Sequence, residues 1–205
     1  MTGKRPARIG VDIDGVMLDV IAPLLKVYNR RNGTRYAKND ITDYPLTRHF
    51  GSDSEARIRF VLDFFRTPEF RNIRPVPGAQ RGIAALGKKA ILISLTSRSV
   101  DAIEKETRNQ ILRYFPNAFS EIRFTSDLTS NSKGEGKAGV CRNMDIDIMI
   151  DDSFEYAATC ARQGIKNILL DWPWNREWNH GPLPQNVYRA RNWPQIVRKV
   201  DELLT

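Results

Sequence analysis

Five short apolar runs punctuate this chain: Arg8–Ile13, Ala90–Leu95, Ile122–Thr125, Asp147–Ile150 and Asn167–Leu170. Each has the length and composition of a buried strand. Helix-length stretches, Asp101–Tyr114, Lys137–Met144 and Ser153–Gln163, separate the last four. Strands that alternate with helices require crossover connections and therefore a parallel sheet, so the pattern predicts an α/β fold with a three-layer, Rossmann-like core. Between about Val20 and Arg74 the rhythm breaks. Ala22–Arg31 and Ser54–Arg66 read as helices joined by polar loops with no convincing buried strand, which predicts a small helical cap inserted after the first strand. Arg74-Pro75-Val76-Pro77-Gly78 closes the insertion, because two prolines restrict the backbone and Gly78 permits a turn before the helix Ala79–Leu86. The expected division is a core of residues 1–19 and 75–205 and a cap of residues 20–74. The stretch after Trp172, rich in Trp, Pro and Asn, is expected to wrap the core before a terminal helix, Pro194–Leu204.

Composition narrows the setting without naming a ligand. A chain of 205 residues, 41% of them hydrophobic, suits one core with an insertion. No apolar run approaches the roughly 20 residues of a membrane span, and Met1–Arg8 lacks the apolar centre of a signal peptide, so a cytoplasmic protein with no membrane partner is expected. Cys141 and Cys160 are too few for a disulfide scaffold and lie in no zinc-binding pattern. The net charge of +8 favours anionic partners, and Lys26 to Arg74 alone holds eleven basic and six acidic residues. Phosphorylated metabolites, nucleotides and nucleic acid all fit that charge, as do ordinary solvated helix faces.

The candidate chemistry sits where strands should end, which is where open parallel sheets bind ligands. Asp12-Ile13-Asp14-Gly15-Val16 follows the first apolar run, and residues two apart on a strand point the same way, so Asp12 and Asp14 converge. Thr96-Ser97-Arg98 follows the second run and offers two hydroxyls, a cation and helix-entrance N–H groups to a phosphate; a plain helix cap fits Thr96 and Ser97 as well. Ser132-Lys133-Gly134-Glu135-Gly136-Lys137 offers two lysines, of which Lys137 is preferred because it begins a helix and Lys133 stays open. Asp151 and Asp152 end an apolar strand, where adjacent acids are costly without a compensating cation or hydrogen bonds. Oxygen ligands without local His or Cys favour magnesium (Mg2+), although Asp152 alone could serve as a helix cap.

In this order the four segments resemble the haloacid dehalogenase-like phosphohydrolase superfamily over nearly the whole chain. The fuller resemblance is to the 5′(3′)-deoxyribonucleotidases and their bacterial and phage relatives. It is carried by Val11-Asp12-Ile13-Asp14-Gly15-Val16, Pro75-Val76-Pro77-Gly78-Ala79, Ile150-Asp151-Asp152-Ser153 and Asp171-Trp172-Pro173-Trp174-Asn175-Arg176. The resemblance implies that Asp12 is the nucleophile and that Asp14 is the general acid and base. It also implies that Asp12, the carbonyl of Asp14 and Asp151 hold Mg2+ with support from Asp152, and that Thr96, Ser97 and Lys137 hold the phosphoryl oxygens.

Substrate readers are sought in the cap, which carries Tyr44, Phe50, Phe60, Phe64, Phe65 and Phe70. Phe60 and Phe64, four apart, read as a packed helix face, whereas Phe70 near the cap exit is the pocket candidate. Val20 lies where the family's first cap residues face substrate and offers only an apolar wall. Arg176 is placed to reach phosphate or sugar, or else anchors the loop; His49 and His180 receive no role. The expected reaction is Mg2+-dependent hydrolysis of a phosphomonoester, with a nucleoside monophosphate as substrate. The competitors are a sugar phosphate or other small ester, a nucleic-acid end, and a non-catalytic nucleic-acid binding module. The preferred base or sugar position and the oligomeric state, including a homodimer, stay open.

Overall fold

The computed structural model describes residues 5–42, 50, 53–98, 100–125, 136–176 and 182–205. Six strands form one sheet in the order β3-β2-β1-β4-β5-β6: β1 is Arg8–Asp12, β2 Ile91–Thr96, β3 Glu121–Phe124, β4 Ile148–Asp151, β5 Lys166–Leu170 and β6 Val187–Ala190. Every neighbouring pair is parallel. The fold is therefore α/β and Rossmann-like, with β1 at the centre. Register places Asp12 beside Leu95 of β2 and sets Val11 opposite Ile150 of β4, so the ends of three adjacent strands share one edge.

The helices lie on both faces of the sheet. Alternation along the strands sends Ile148 and Ile150 into one buried cluster and Met149 into another. The first face is covered by α4 (Ala79–Leu86), α5 (Val100–Tyr114) and α8 (Trp193–Leu204), through Ile83, Leu86, Ile103, Ile111, Ile196 and Val200. On the second, α6 (Lys137–Asn143) and α7 (Phe154–Ala161) bring Ala138, Cys141 and Cys160 against Ile93, Leu95 and Met149. Among the described residues, no helix is long and apolar enough to cross a membrane.

β6 was absent from the sequence expectation. It has only four residues, Val-Tyr-Arg-Ala, and forms a sheet edge with two partly exposed positions, so it lacks the apolar run of a central strand. The segment after Trp172 does wrap the core, but part of it completes the sheet.

After β1 the chain makes a tight turn and leaves the core along a leg that pairs with its own return. Asp19 N–H donates to the Arg74 carbonyl at 2.9 Å, and Val76 N–H donates to the Met17 carbonyl at 2.9 Å. Between these legs lie α1 (Ile21–Asn32), a 3-10 turn at Lys38–Asp40, α2 (Ser54–Phe65) and α3 (Pro68–Arg71). The described residues of this interval contain no strand. Capping explains the helix starts: Asp53 accepts from Ala56 N–H at 2.8 Å, and Thr67 accepts from Phe70 N–H ahead of Pro68. Phe60 and Phe64 are buried, as their spacing predicts, with Phe60 edge-on to Tyr28 at 5.2 Å and Phe64 edge-on to Phe70 at 5.5 Å.

The terminal helix packs behind the active edge. Trp193 at the start of α8 is fully buried, and its indole N–H donates to the Val16 carbonyl at 3.0 Å, directly behind the acidic turn. The indole packs closely on α4 because Gly82 leaves it room: a Cβ there would fall 2.2 Å from Trp193 Cε3. Gly82→Ala is expected to lower stability by about 1–3 kcal/mol through overpacking. Thermal denaturation checks this, and an unchanged midpoint would show that α8 can shift freely away from α4.

Candidate active site

Three acids and one lysine meet at the carboxyl ends of β1 and β4. Asp12 closes β1, Asp151 closes β4, and Asp152 follows it; all three are buried, and one ligand oxygen from each lies within 4.8 Å of the others. Lys137, the first residue of α6, sends its ammonium between them. Its Nζ is 2.7 Å from Asp12 Oδ1 and 2.8 Å from Asp151 Oδ2, and the side chain is only 2% exposed. Lys133, the alternative lysine, lies outside the described residues, as do Tyr44, His49 and His180.

One ammonium cannot balance three buried carboxylates. Burial raises the Asp12 carboxyl to about 7; the Lys137 charge opposes that rise, while Asp151 and Asp14 add to it. Asp152 is also raised, first by burial and then by Asp12 and Asp151. Burial alone would lower Lys137, yet the two flanking carboxylates hold it well above the usual lysine range. The cluster is thus short of positive charge. Hard oxygen donors at this spacing, without His or Cys among them, suit a hard divalent cation such as magnesium.

Much of the remaining scaffold holds the acids in place. Ser153 N–H donates to Asp151 Oδ1 at 2.8 Å, and Ser153 Oγ caps α7 by accepting from Tyr156 N–H. Trp174 donates its indole N–H to Asp152 Oδ2 at 3.0 Å, while Asn175 donates to the Asp152 and Leu170 carbonyls at 2.9 and 2.7 Å. Trp172 stacks on Trp174 at 5.1 Å and donates to the Gly15 carbonyl at 2.7 Å. The Trp172–Asn175 segment therefore clasps both acidic loops. Gly15 turns with φ +79°, and a Cβ there would fall 2.1 Å from Asp152 Oδ2, so only glycine lets the loops approach this closely.

The hydroxyl segment lies beside this cluster. Thr96 ends β2, is buried and accepts from Arg98 N–H at 3.2 Å. Ser97 Oγ is 3.3 Å from both Thr125 Oγ1 and the Tyr156 hydroxyl, and the Tyr156 ring lies under the Lys137 ammonium at 4.4 Å. Sequence reasoning did not single out Tyr156; its position three residues into α7, after the Ser153 cap, was the available signal.

Two expected site residues, Arg98 and Phe70, sit differently from their sequence reading. Arg98, expected on the phosphate, is 2% exposed and grips Asp14: Nε donates to Oδ2 at 2.8 Å and Nη2 to Oδ1 at 2.6 Å. Phe70, expected to line a pocket, is fully buried against Phe64, Phe65 and the Arg98 guanidinium, because the short helix α3 turns it inward. Val20 is half-buried at the start of α1 and packs on the core. Arg176 keeps a half-exposed side chain, paired with Asp171 at 3.0 Å, at the rim of a cavity of about 370 Å³ shared with Asn39, Thr42 and Pro173. Lys38 latches the inserted segment to this rim: it pairs with Asp19 at 2.7 Å and lies 4.5 Å over the Trp172 ring.

The fold, a central parallel sheet with acids at the ends of β1 and β4, is that of solved haloacid dehalogenase-like hydrolases. A haloacid dehalogenase-like hydrolase from Streptococcus pneumoniae aligns with a TM-score of 0.69 at 15% identity, covering 95% of this chain and 98% of that one. A Bacillus subtilis hydrolase of the same type, solved with bound magnesium, aligns with a TM-score of 0.62 at 14% identity, covering 97% of this chain and 100% of that one. Within that class, residues 5–202 match the 5′ nucleotidase, deoxy (pyrimidine), cytosolic type C family, and the chain belongs to it. A provisionally named nucleotidase of Halalkalibacterium halodurans is 28% identical over 205 residues, which is 100% of this chain and 97% of the relative. Membership of this family makes the protein a phosphomonoesterase.

Proposed function

We propose that the protein is a magnesium-dependent nucleotidase that dephosphorylates (deoxy)nucleoside monophosphates through an aspartyl-phosphate on Asp12. The observation that carries this reading is the Lys137 ammonium bridging Asp12 and Asp151 at 2.7 and 2.8 Å, at the ends of two adjacent strands. Asp12, the Asp14 carbonyl and Asp151 would hold the metal, with Asp152 behind them. Bound there, it supplies positive charge that lets an anionic nucleophile approach an anionic ester.

The chain's own groups perform the proton and phosphoryl transfers. A carboxylate oxygen of Asp12 attacks phosphorus and the ester P–O bond breaks, while Asp14 delivers a proton to the departing alkoxide. Asp14, now a carboxylate, takes a proton from water; the resulting hydroxide attacks phosphorus, the Asp12–phosphate bond breaks, and inorganic phosphate leaves. Thr96, Ser97 and Lys137 hold the phosphoryl oxygens through both steps. Residues 20–74 act as the cap, with Val20 and the Arg176 rim facing the leaving group and Phe70 supporting from beneath. A cytoplasmic setting belongs to the same proposal, supported by Cys141 and Cys160 both being free thiols.

A substrate panel tests this: 5′- and 3′-nucleoside monophosphates, sugar phosphates and oligonucleotides bearing terminal phosphates, each with magnesium or chelator. Turnover is expected with magnesium, lost with chelator, and highest in kcat/KM for a nucleoside monophosphate. A sugar phosphate or an oligonucleotide end leading the panel would overturn the substrate assignment while leaving the chemistry intact.

A further inference from the structure

We infer that Arg98 is a positioning residue that sets the carboxylate of Asp14 and ties it to the inserted helical segment; this rests on the acid–base role proposed for Asp14. The guanidinium is 2% exposed while its partner carboxylate is 30% exposed, so a buried base holds a group that solvent still reaches. Of its five N–H bonds, two go to Asp14, and Nη1 donates to Thr107 Oγ1 at 3.0 Å and Gln110 Oε1 at 2.8 Å. Little donor capacity is left for a phosphate. Thr107 and Gln110 are themselves fully buried on α5, and Gln110 donates to the Phe70 carbonyl at 2.6 Å. The Phe70 ring lies 5.0 Å from the guanidinium carbon. Arg98 is thus held from α5 below and from α3 at its face, and a two-toothed grip passes that rigidity to Asp14.

A planar fork fixes both position and rotation of a carboxylate, which a lysine ammonium cannot do. Burying such a pair adds little net stability, so its consequence lies in geometry. Asp14 must meet first the leaving oxygen and then a water, and a small rotation away from either costs proton transfer without loosening phosphate binding.

The test compares wild-type protein with Arg98→Lys and Thr107→Val, using nucleoside monophosphates and an activated aryl phosphate whose phenolate leaves without a proton. The aryl ester is followed through its pre-steady-state burst, which reports attack by Asp12 alone. For Arg98→Lys, turnover of the nucleoside monophosphates is expected to fall about a hundredfold, the size of a lost general acid. The aryl burst rate and the inhibition constant of inorganic phosphate are expected to stay within about threefold, as for a residue that does not bind the phosphoryl group. Thr107→Val should show the same pattern at smaller amplitude, and it carries the test if Arg98→Lys fails to fold. An equal loss in the burst and on nucleotides, or phosphate inhibition weakened about tenfold or more, would assign Arg98 to phosphate binding or to general support and overturn the inference. Wild-type protein inert toward every ester would sink the functional reading itself, a failure visible before any variant is compared.

Discussion

Asp12→Asn is expected to abolish phosphate release, by about 10⁴-fold or more, because removing a nucleophile eliminates the covalent route rather than weakening it. The fold should survive. Asn is isosteric with Asp, its carbonyl oxygen can still accept from Lys137, and Lys137 keeps its contact with Asp151 at 2.8 Å. The substitution also removes one of three acidic groups crowded within 4.8 Å, where burial already drives Asp12 to about 7. In chelator at pH 8 the variant should therefore melt no lower than the wild type. Phosphate release and thermal denaturation on the same preparation separate the two effects. Residual turnover within tenfold of wild type would remove Asp12 from the nucleophile's place, and a large drop in melting temperature would mean that its charge supports the fold.

Lys137→Met carries the largest expected cost to stability. A methionine fills similar space but leaves Asp12, Asp151 and Asp152 buried together without the ammonium that touches two of them. Breaking a buried pair by removing one partner typically costs about 3–5 kcal/mol, because the remaining charge is stranded in a poorly solvating interior. Urea unfolding in chelator should show that loss at neutral pH. Adding magnesium should return part of it, since any ligand bound only by the folded state stabilises that state. A second substitution, Asp151→Asn, should also recover part of it by removing stranded charge. A midpoint that does not move would mean that water or protonation already relieves the cluster without Lys137.

The two variants probe different parts of one problem, namely how the protein keeps a strongly acidic centre buried and usable. Lys137 and the indole donor of Trp174 lower the cost from inside the protein, and the shortage that remains favours a cation from outside. Clasping Asp152 and Gly15 with Trp174 and Trp172 keeps the two loops at a spacing that only Gly15 permits.

Local patterning determined much of this protein. The apolar runs Arg8–Ile13 and Asp147–Ile150 were legible as strands, the stretch beginning at Lys137 as a helix, and the Asp-x-Asp and Asp-Asp pairs as acids at strand ends, because strand and helix periodicity depend on residues close in the chain. Lys137 was favoured over Lys133 on its helix position alone, and the structure places it on Asp12. What the tertiary structure decided is which charge meets which. Nothing within a few residues of Arg98 says that it will grip Asp14, 84 positions away, and not an incoming phosphate; that follows from β1 lying beside β2 and from Thr107 and Gln110 of α5 closing behind the guanidinium. Phe70 was placed in a pocket from its position near the cap exit, yet α3 turns it under Arg98. β6 escaped notice because a sheet edge needs few apolar residues. Secondary structure is set mainly by near neighbours, whereas the partner of a buried charge is chosen by whichever distant segment packs against it, where leaving that charge unpaired would be too costly.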